Sequence, residues 1–336
     1  MASLTRVGWY WNQLRNISVA ELVDRAGDSA GLTLARRRSP VPVPPFRLDK
    51  AGARWVRGVV PESGSFVQRA DEILSGRWRV LAMGKVKLGF PPEWNRNPAN
   101  GYLFPLNHGK TVSLRDVSVI GDIKYLWGPN RHRELVILAQ AWQATGTHQY
   151  LDAIGELLGS WFEQCPFPLG PNWTRASEVG IRLINWATVW QLIGGASSPL
   201  FESSVGKVLR SDWLASVWRH AEFIEANLHR TPSANSQLIA ELAGLYVAGA
   251  TWPFWNDSKQ WRDQGREGLE REVLRQISSD GVNLEQSTST QLFVWDALLM
   301  AGLAARATGR DFSVAYWCRL EAMVEYVAAL MDAGGN

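Results

Sequence analysis

A chain of 336 residues, 46% hydrophobic and 20% charged, has a globular composition and is long enough for one large domain or two ordinary ones around a sizeable core. Its formal net charge of +3 comes without a Lys/Arg block or an acidic tail, so the charge pattern gives no case for nucleic acid as a partner. The two cysteines, Cys165 and Cys318, stand far apart without CxxC or CxxH spacing, which excludes a cysteine-based zinc motif and argues against a disulfide framework.

The opening residues "MASLTRVGWYWNQLRNISVAELVDRAG" contain no apolar h-region, and no stretch is long and apolar enough to cross a bilayer. The expectation is a soluble, cytoplasmic protein without membrane insertion, with periplasmic or cell-envelope association left open. Up to about residue 120, Pro clusters ("SPVPVPPF", "GFPPEW"), Gly and short apolar runs predict an irregular wrap, with one amphipathic helix around Val19 to Arg37. Within it, His108 in "PLNHGK" precedes a strand-like "TVSL". Residues 121–336 read as a second domain, with helix-length apolar patterns over 130–146, 148–163, 175–194, 204–229, 235–250, 259–279, 286–308 and 311–333.

The breaks between these segments have their own chemistry. "TGTH" and "ATGRD" place Gly after one helix and a capping residue before the next, "NDSKQW" offers Asp257 or Ser258 as a cap, and "SSDG" supplies an Asp280-Gly281 turn. Helices joined by short loops pack antiparallel. With almost no strand alternation and no strict repeat, the pattern predicts a mainly α fold: an incomplete (α/α) toroid of helical hairpins with an irregular N-terminal segment, in preference to an α-solenoid. Of the 18 Trp, most are expected in the core and a few along a groove, where the flat amphipathic ring stacks on sugars. His132, His148, His220 and His229 fall on or beside polar helix faces, where a solvated or capping role is expected.

Three segments gather polar and aromatic residues at helix starts: the stretch "SANSQLIAELAGLYVAG", the segment "GPNWTRASEVGIRLINW" and the segment "DGVNLEQSTSTQLFVWDALL". In the second, Glu178 and Arg182 are four apart and share a face, which suits an ion pair. In the first, Asn235 is a strong N-cap candidate, a role compatible with sugar contact, and the small residues after it suit close packing of an inner helix. From "PPEWNRNP" (Trp94, Asn95) through "IKYLWGPNRHRELVILAQAWQATGTHQY" to the end, this ordered set resembles the helical domain of the heparinase II/III-like polysaccharide lyases, related to alginate-lyase-type toroids.

That resemblance implies an acidic, uronic-acid polysaccharide as partner, such as a glycosaminoglycan, cleaved by β-elimination without a cofactor or metal. A polar group neutralises the uronate carboxylate, a Tyr or His removes the adjacent C–H proton, and an acid protonates the departing oxygen. Carried over by position, the catalytic places fall on Asn235, Gln237, Thr290 and Gln291. The substrate-binding set becomes Trp173 as a stacking platform, Arg175 and Arg182 as charge partners, Glu178, the motif glutamates Glu241 and Glu285, and His108. The chain departs from the family pattern where it matters for chemistry: Gln237 stands for the usual His, and Thr290 and Gln291 stand for the usual Tyr-His. Gly128 occupies a place where an acidic residue is expected. A base would then come from His108, from Tyr246, or from a missing C-terminal β-domain or partner chain. The alternative is a non-catalytic polysaccharide-binding protein or fragment serving exopolysaccharide biosynthesis.

Overall fold

The computed structural model describes residues 54–56, 64–229 and 235–331. The elements below belong to one of the chain's two compact units, Val41–Leu228 with Asn235–Asn336. In chain order they are α1 (Gly64–Leu74), the two-stranded antiparallel ribbon β1 (Arg77–Arg79) and β2 (Lys85–Lys87), α2 (Val117–Ile120), α3 (Lys124–Asn130), α4 (Arg133–Thr145), α5 (His148–Gln164), α6 (Ala176–Leu192), α7 (Ser204–Ala226), α8 (Ser236–Thr251), α9 (Asp257–Gln276), α10 (Thr288–Ala307) and α11 (Val314–Leu330). All eight segments expected from 130 onward are helices. The expected helix around Val19 to Arg37 lies outside the described residues, and the strand-like "TVSL" is instead irregular, preceded by a 3-10 turn at Gly109–Thr111.

Serine side chains cap three of the helix starts, and the Gly expected after α4 ends it. Ser203, Ser287 and Ser313 accept hydrogen bonds from the N–H groups of Gly206, Thr290 and Tyr316, and Gly146 ends α4 in the left-handed region at φ 67°. The α9 start differs from expectation. Neither Asp257 nor Ser258 caps it; Ser258 is buried and its hydroxyl donates to the Trp252 carbonyl, pinning the turn out of α8.

The helices form two rows. α4, α6, α8 and α10 pack side by side in the inner row, and α5, α7, α9 and α11 return along the outside. Successive helices alternate in direction, so the inner helices run parallel and begin at one end of the incomplete toroid. The inner row is tight because small residues meet backbone: a Cβ at Gly180 on α6 would stand 2.4 Å from the Ala240 carbonyl oxygen, and one at Gly244 would stand 2.5 Å from the Gly180 Cα. α8 is buried along nearly its whole length between these neighbours.

An aromatic core fills the space beside α6. Trp161 lies edge-on to Trp186 at 5.7 Å and tilted against Trp173 at 6.0 Å, while Trp186 contacts Trp213 at 6.2 Å. Into it project two histidines expected on polar faces. His220 is fully buried and His132 nearly so, because α7 turns His220 toward Trp173 and Trp186 rather than toward solvent. His220 Nδ1 lies 2.7 Å from the Ser216 carbonyl and therefore carries the proton, leaving Nε2 to accept from the Arg182 guanidinium at 3.1 Å.

Candidate functional site

The site is built where α8 and α10 begin. Asn235 caps α8 through its Oδ1, which accepts from the Gln237 N–H at 3.1 Å, and its carbonyl accepts from Gln276 Nε2 at 3.2 Å. Glu285 reaches across from the loop before α10: Oε1 accepts from the Ser236 N–H at 2.8 Å and Oε2 from the Thr290 hydroxyl at 3.5 Å. The loop is shaped to present it, since Asn283 Oδ1 accepts from the Glu285 N–H at 2.9 Å and the next residue, Gln286, sits at φ 50°. Behind Gln276 lies Glu272. Burial acts to raise its carboxyl, and hydrogen bonds from Gln276 and Arg275 outweigh this and hold it below the usual range.

Asn235, Gln237 and Thr290 are half-buried and Glu285 is exposed, so a ligand can reach all four. Together they present two amides, a hydroxyl and a carboxylate beside the positive end of a helix, which suits hydroxyl-rich, oxygen-bearing ligands.

At the start of α6, Arg175 is exposed, but the rest of that motif is used internally. The expected Glu178–Arg182 pair does not form. Glu178 instead takes a two-pronged hydrogen bond from Arg131, at 2.7 and 2.8 Å, because α6 packs on the α3–α4 junction. Burial acts to lower the Arg131 pKa and the Glu178 contact outweighs it, raising it. Arg182 is 1% exposed: it donates to the Asn130 carbonyl at 2.7 Å and lies 4.5 Å over the Trp161 ring, and burial pulls its pKa down to about 10.

Trp173, expected as a stacking platform, is likewise 1% exposed, its indole N–H donating to the Cys165 carbonyl at 3.2 Å. Enclosed by Phe167, Phe223 and His220 and 1% exposed, it has no surface to offer a sugar. Glu178, Arg182 and Trp173 therefore hold the α6 end in place rather than bind substrate.

Two further motif positions change role. Gln291 is buried, donating to the Gly281 carbonyl at 2.7 Å and accepting from the Asn283 N–H at 2.9 Å, so it closes the turn before α10 instead of facing a ligand. Glu241 is fully buried one turn below Gln237, out of reach of a polymer. Of the candidate bases, Tyr246 is enclosed in the core 5.2 Å from the Phe312 ring, its hydroxyl out of solvent. His108 is brought toward the α6 start by the Gly109 N–H, which donates to the Pro168 carbonyl at 2.9 Å, but both its ring nitrogens are also out of solvent. Among the described residues no group of three or more His, Cys, Asp and Glu is placed to hold a metal ion, and no helix is long and apolar enough to cross a membrane.

The residues that order this end but escape sequence reasoning are Asn130 and Arg131. Asn130 donates to the Trp94 carbonyl at 2.9 Å and accepts from the Trp161 indole at 2.8 Å, tying "PPEWNRNP" to the aromatic core. The only signal in the sequence is their place in "GPNRHRE", just before a helix.

Comparison with known proteins gives one consistent result. The family model described as Heparinase II/III N-terminus matches residues 92–333. A heparin-sulfate lyase of Pedobacter heparinus is 24% identical over 234 residues, which cover 68% of this chain and 34% of the relative. Among solved structures, heparan sulfate lyase HepC from Pedobacter heparinus aligns with TM-score 0.58 and 17% identity over 97% of this chain and 47% of its own. Heparinase III aligns with TM-score 0.59 and 18% identity over 96% of this chain and 45% of its own. At these identities the structural likeness concerns the fold. The chain spans about a third of the curated relative and just under half of the solved structures.

Proposed function

The chain belongs to the heparinase II/III family, whose N-terminal model spans most of it, and from that premise we propose that it acts on an acidic, uronic-acid-containing polysaccharide by β-elimination at the inner-helix ends. Asn235 and Gln237 bind the uronate carboxylate with the α8 N-terminus behind them, which acidifies the neighbouring C–H. Arg175 adds charge attraction at the α6 end. Glu285 takes the C–H proton, the freed electron pair forms the ring double bond as the bond to the glycosidic oxygen breaks, and the protonated Glu285 returns the proton to that departing oxygen. Glu285 is exposed and hydrogen-bonded to both helix starts, whereas the His108 nitrogens and the Tyr246 hydroxyl are closed off from solvent. The observation that carries the reading is the bridge from Glu285 to Ser236 and Thr290, which gathers two motifs 49 residues apart into one accessible polar end.

A second reading has its own support. The Glu285 carboxylate is already engaged by the Ser236 N–H and the Thr290 hydroxyl, and neither Gln237 nor Thr290 carries a group that titrates. On that reading the same end binds an acidic polysaccharide without cleaving it. Titrating heparan-type, chondroitin-type, alginate and bacterial acidic chains into the protein by calorimetry tests what the two share. Binding weakened about tenfold or more by Asn235→Ala is expected; affinity untouched by that substitution would remove this end from both readings.

A further inference from the structure

The β1–β2 ribbon carries a charge arrangement that the fold does not need. Its register sets Arg77 directly opposite Lys87 and Arg79 directly opposite Lys85, with Trp78 opposite Val86 on the other face. All four cationic residues are exposed. Side chains two apart on a strand are about 7 Å apart and paired strands about 4.8 Å apart, so four cations share one small patch. Like charges facing each other across a ribbon destabilise it.

One neighbouring acid, Glu72, offsets part of this: its carboxyl is held below the usual range by the Lys85 hydrogen bond first and by the charges of Lys85, Arg79 and Arg77. Glu72 pairs with Lys85 at 2.5 Å, and Glu93 pairs with Arg96 at 2.5 Å. Among the described residues Arg77, Arg79 and Lys87 take part in no ion pair.

The patch is also fixed in place. Trp78 is 1% exposed, its indole donates to the Gly89 carbonyl at 3.1 Å, and its ring meets Trp94 edge-on at 5.7 Å. A cleft of about 220 Å³ opens beside it, lined by Lys87, Trp94, Arg96, Asn97 and Asn130. Asn130 is the residue whose carbonyl receives Arg182 and whose neighbour Arg131 holds Glu178, so the cleft lies against the frame that carries the start of α6.

We infer that this ribbon is a second docking surface for the anionic polysaccharide, which holds the chain outside the catalytic end; the inference rests on the polysaccharide reading above. A dense, rigid face on which four cations meet a single paired acid fits a polyanion with closely spaced carboxylates or sulfates, and the adjoining cleft gives one sugar unit a place to lodge beside Lys87. The exposed tip residues Leu81 and Met83 offer apolar contact to sugar-ring faces.

The test is the Arg77→Gln, Arg79→Gln, Lys87→Gln triple variant, which leaves the Lys85–Glu72 pair in place. Binding of a long heparan-type chain and of a short oligosaccharide from the same source is measured at several salt concentrations, with anionic lipid vesicles as a separate arm. The long chain should bind about tenfold more weakly and with a shallower salt dependence, while the short one is unaffected. Thermal stability should stay level or rise, because the facing charges are gone. Unchanged long-chain affinity and salt dependence would overturn the ribbon assignment while leaving the helix-end site standing. If the unsubstituted protein binds neither chain, the inference falls together with the reading beneath it, and ribbon-dependent binding to vesicles alone would overturn it in favour of a lipid surface.

Discussion

Glu285 accepts a hydrogen bond from the backbone N–H of Ser236 at 2.8 Å, joining a loop and a helix start separated by 49 residues. Through this contact the beginnings of α8 and α10 become one polar end. Gln276 supports the same junction, donating to the Asn235 carbonyl and accepting from the Leu284 N–H.

Trp173 is a core residue, and its removal should act on stability. Trp173→Ala leaves a cavity among Trp161, Phe167, His220 and Phe223 and strips one aromatic neighbour from Arg182. A loss of about 3–5 kcal/mol is expected in denaturant unfolding. Near-normal stability together with weakened polysaccharide binding would restore the stacking role instead.

Gly180 tests the inner-row packing. Gly180→Ala would drive a methyl group to 2.4 Å from the Ala240 carbonyl oxygen, with backbone on both sides and no flexible side chain to yield. The expected cost is about 2 kcal/mol or more, read as a lower unfolding midpoint. A neutral result would mean that α6 and α8 are not in backbone contact.

Stability should fall between about pH 6.5 and pH 5. Burial, with Arg182 adding repulsion, holds His132 and His220 well below 6.5, so in this window the unfolded chain takes up two protons that the folded chain refuses. Burial pushes the Glu134 carboxyl up to about 7, so there the folded chain keeps one proton that the unfolded chain has released. The balance is one proton in favour of the unfolded state as pH drops, or about 1.4 kcal/mol lost per pH unit. Glu134→Gln removes the opposing proton and should roughly double that slope in chemical denaturation series; the same slope in both proteins would contradict these assignments.

Gln237→His combined with Thr290→Tyr places titratable rings at two accessible helix starts and should raise the rate of elimination where the rest of the site is in place. Adding Gln291→His should undo the gain. Gln291 closes the turn through the Gly281 carbonyl and the Asn283 N–H, and an imidazole cannot make both bonds in that geometry. Elimination rates and unfolding midpoints of the double and triple variants check this, and a triple variant as stable as the double would show that Gln291 is dispensable to the turn.

Much of the helical array was legible because its signals are local. Apolar periodicity marked each helix from α4 onward, and Gly146 in "TGTH" marked the end of α4. Asn235 was readable as a cap for the same reason. The corrections arise where tertiary packing decides. Glu178 and Arg182 share a helix face, but the α3–α4 junction offers Glu178 a second arginine and Arg182 the Asn130 carbonyl, while α7 brings the His220 imidazole to Arg182. Trp173, His132 and His220 are amphipathic groups that sequence alone cannot place inside or outside. Glu285 was singled out by its motif, yet its contact with Ser236 belongs to the closure of the inner row.

The most direct test of the proposed site is an ultraviolet assay for unsaturated uronate on acidic polysaccharides, run on the protein and on Glu285→Gln. The proposal predicts a signal on at least one uronate-containing chain that falls by two or more orders of magnitude, about 10²–10⁴-fold, in Glu285→Gln. A signal unchanged in the variant, or none on any chain that the protein demonstrably binds, would contradict it.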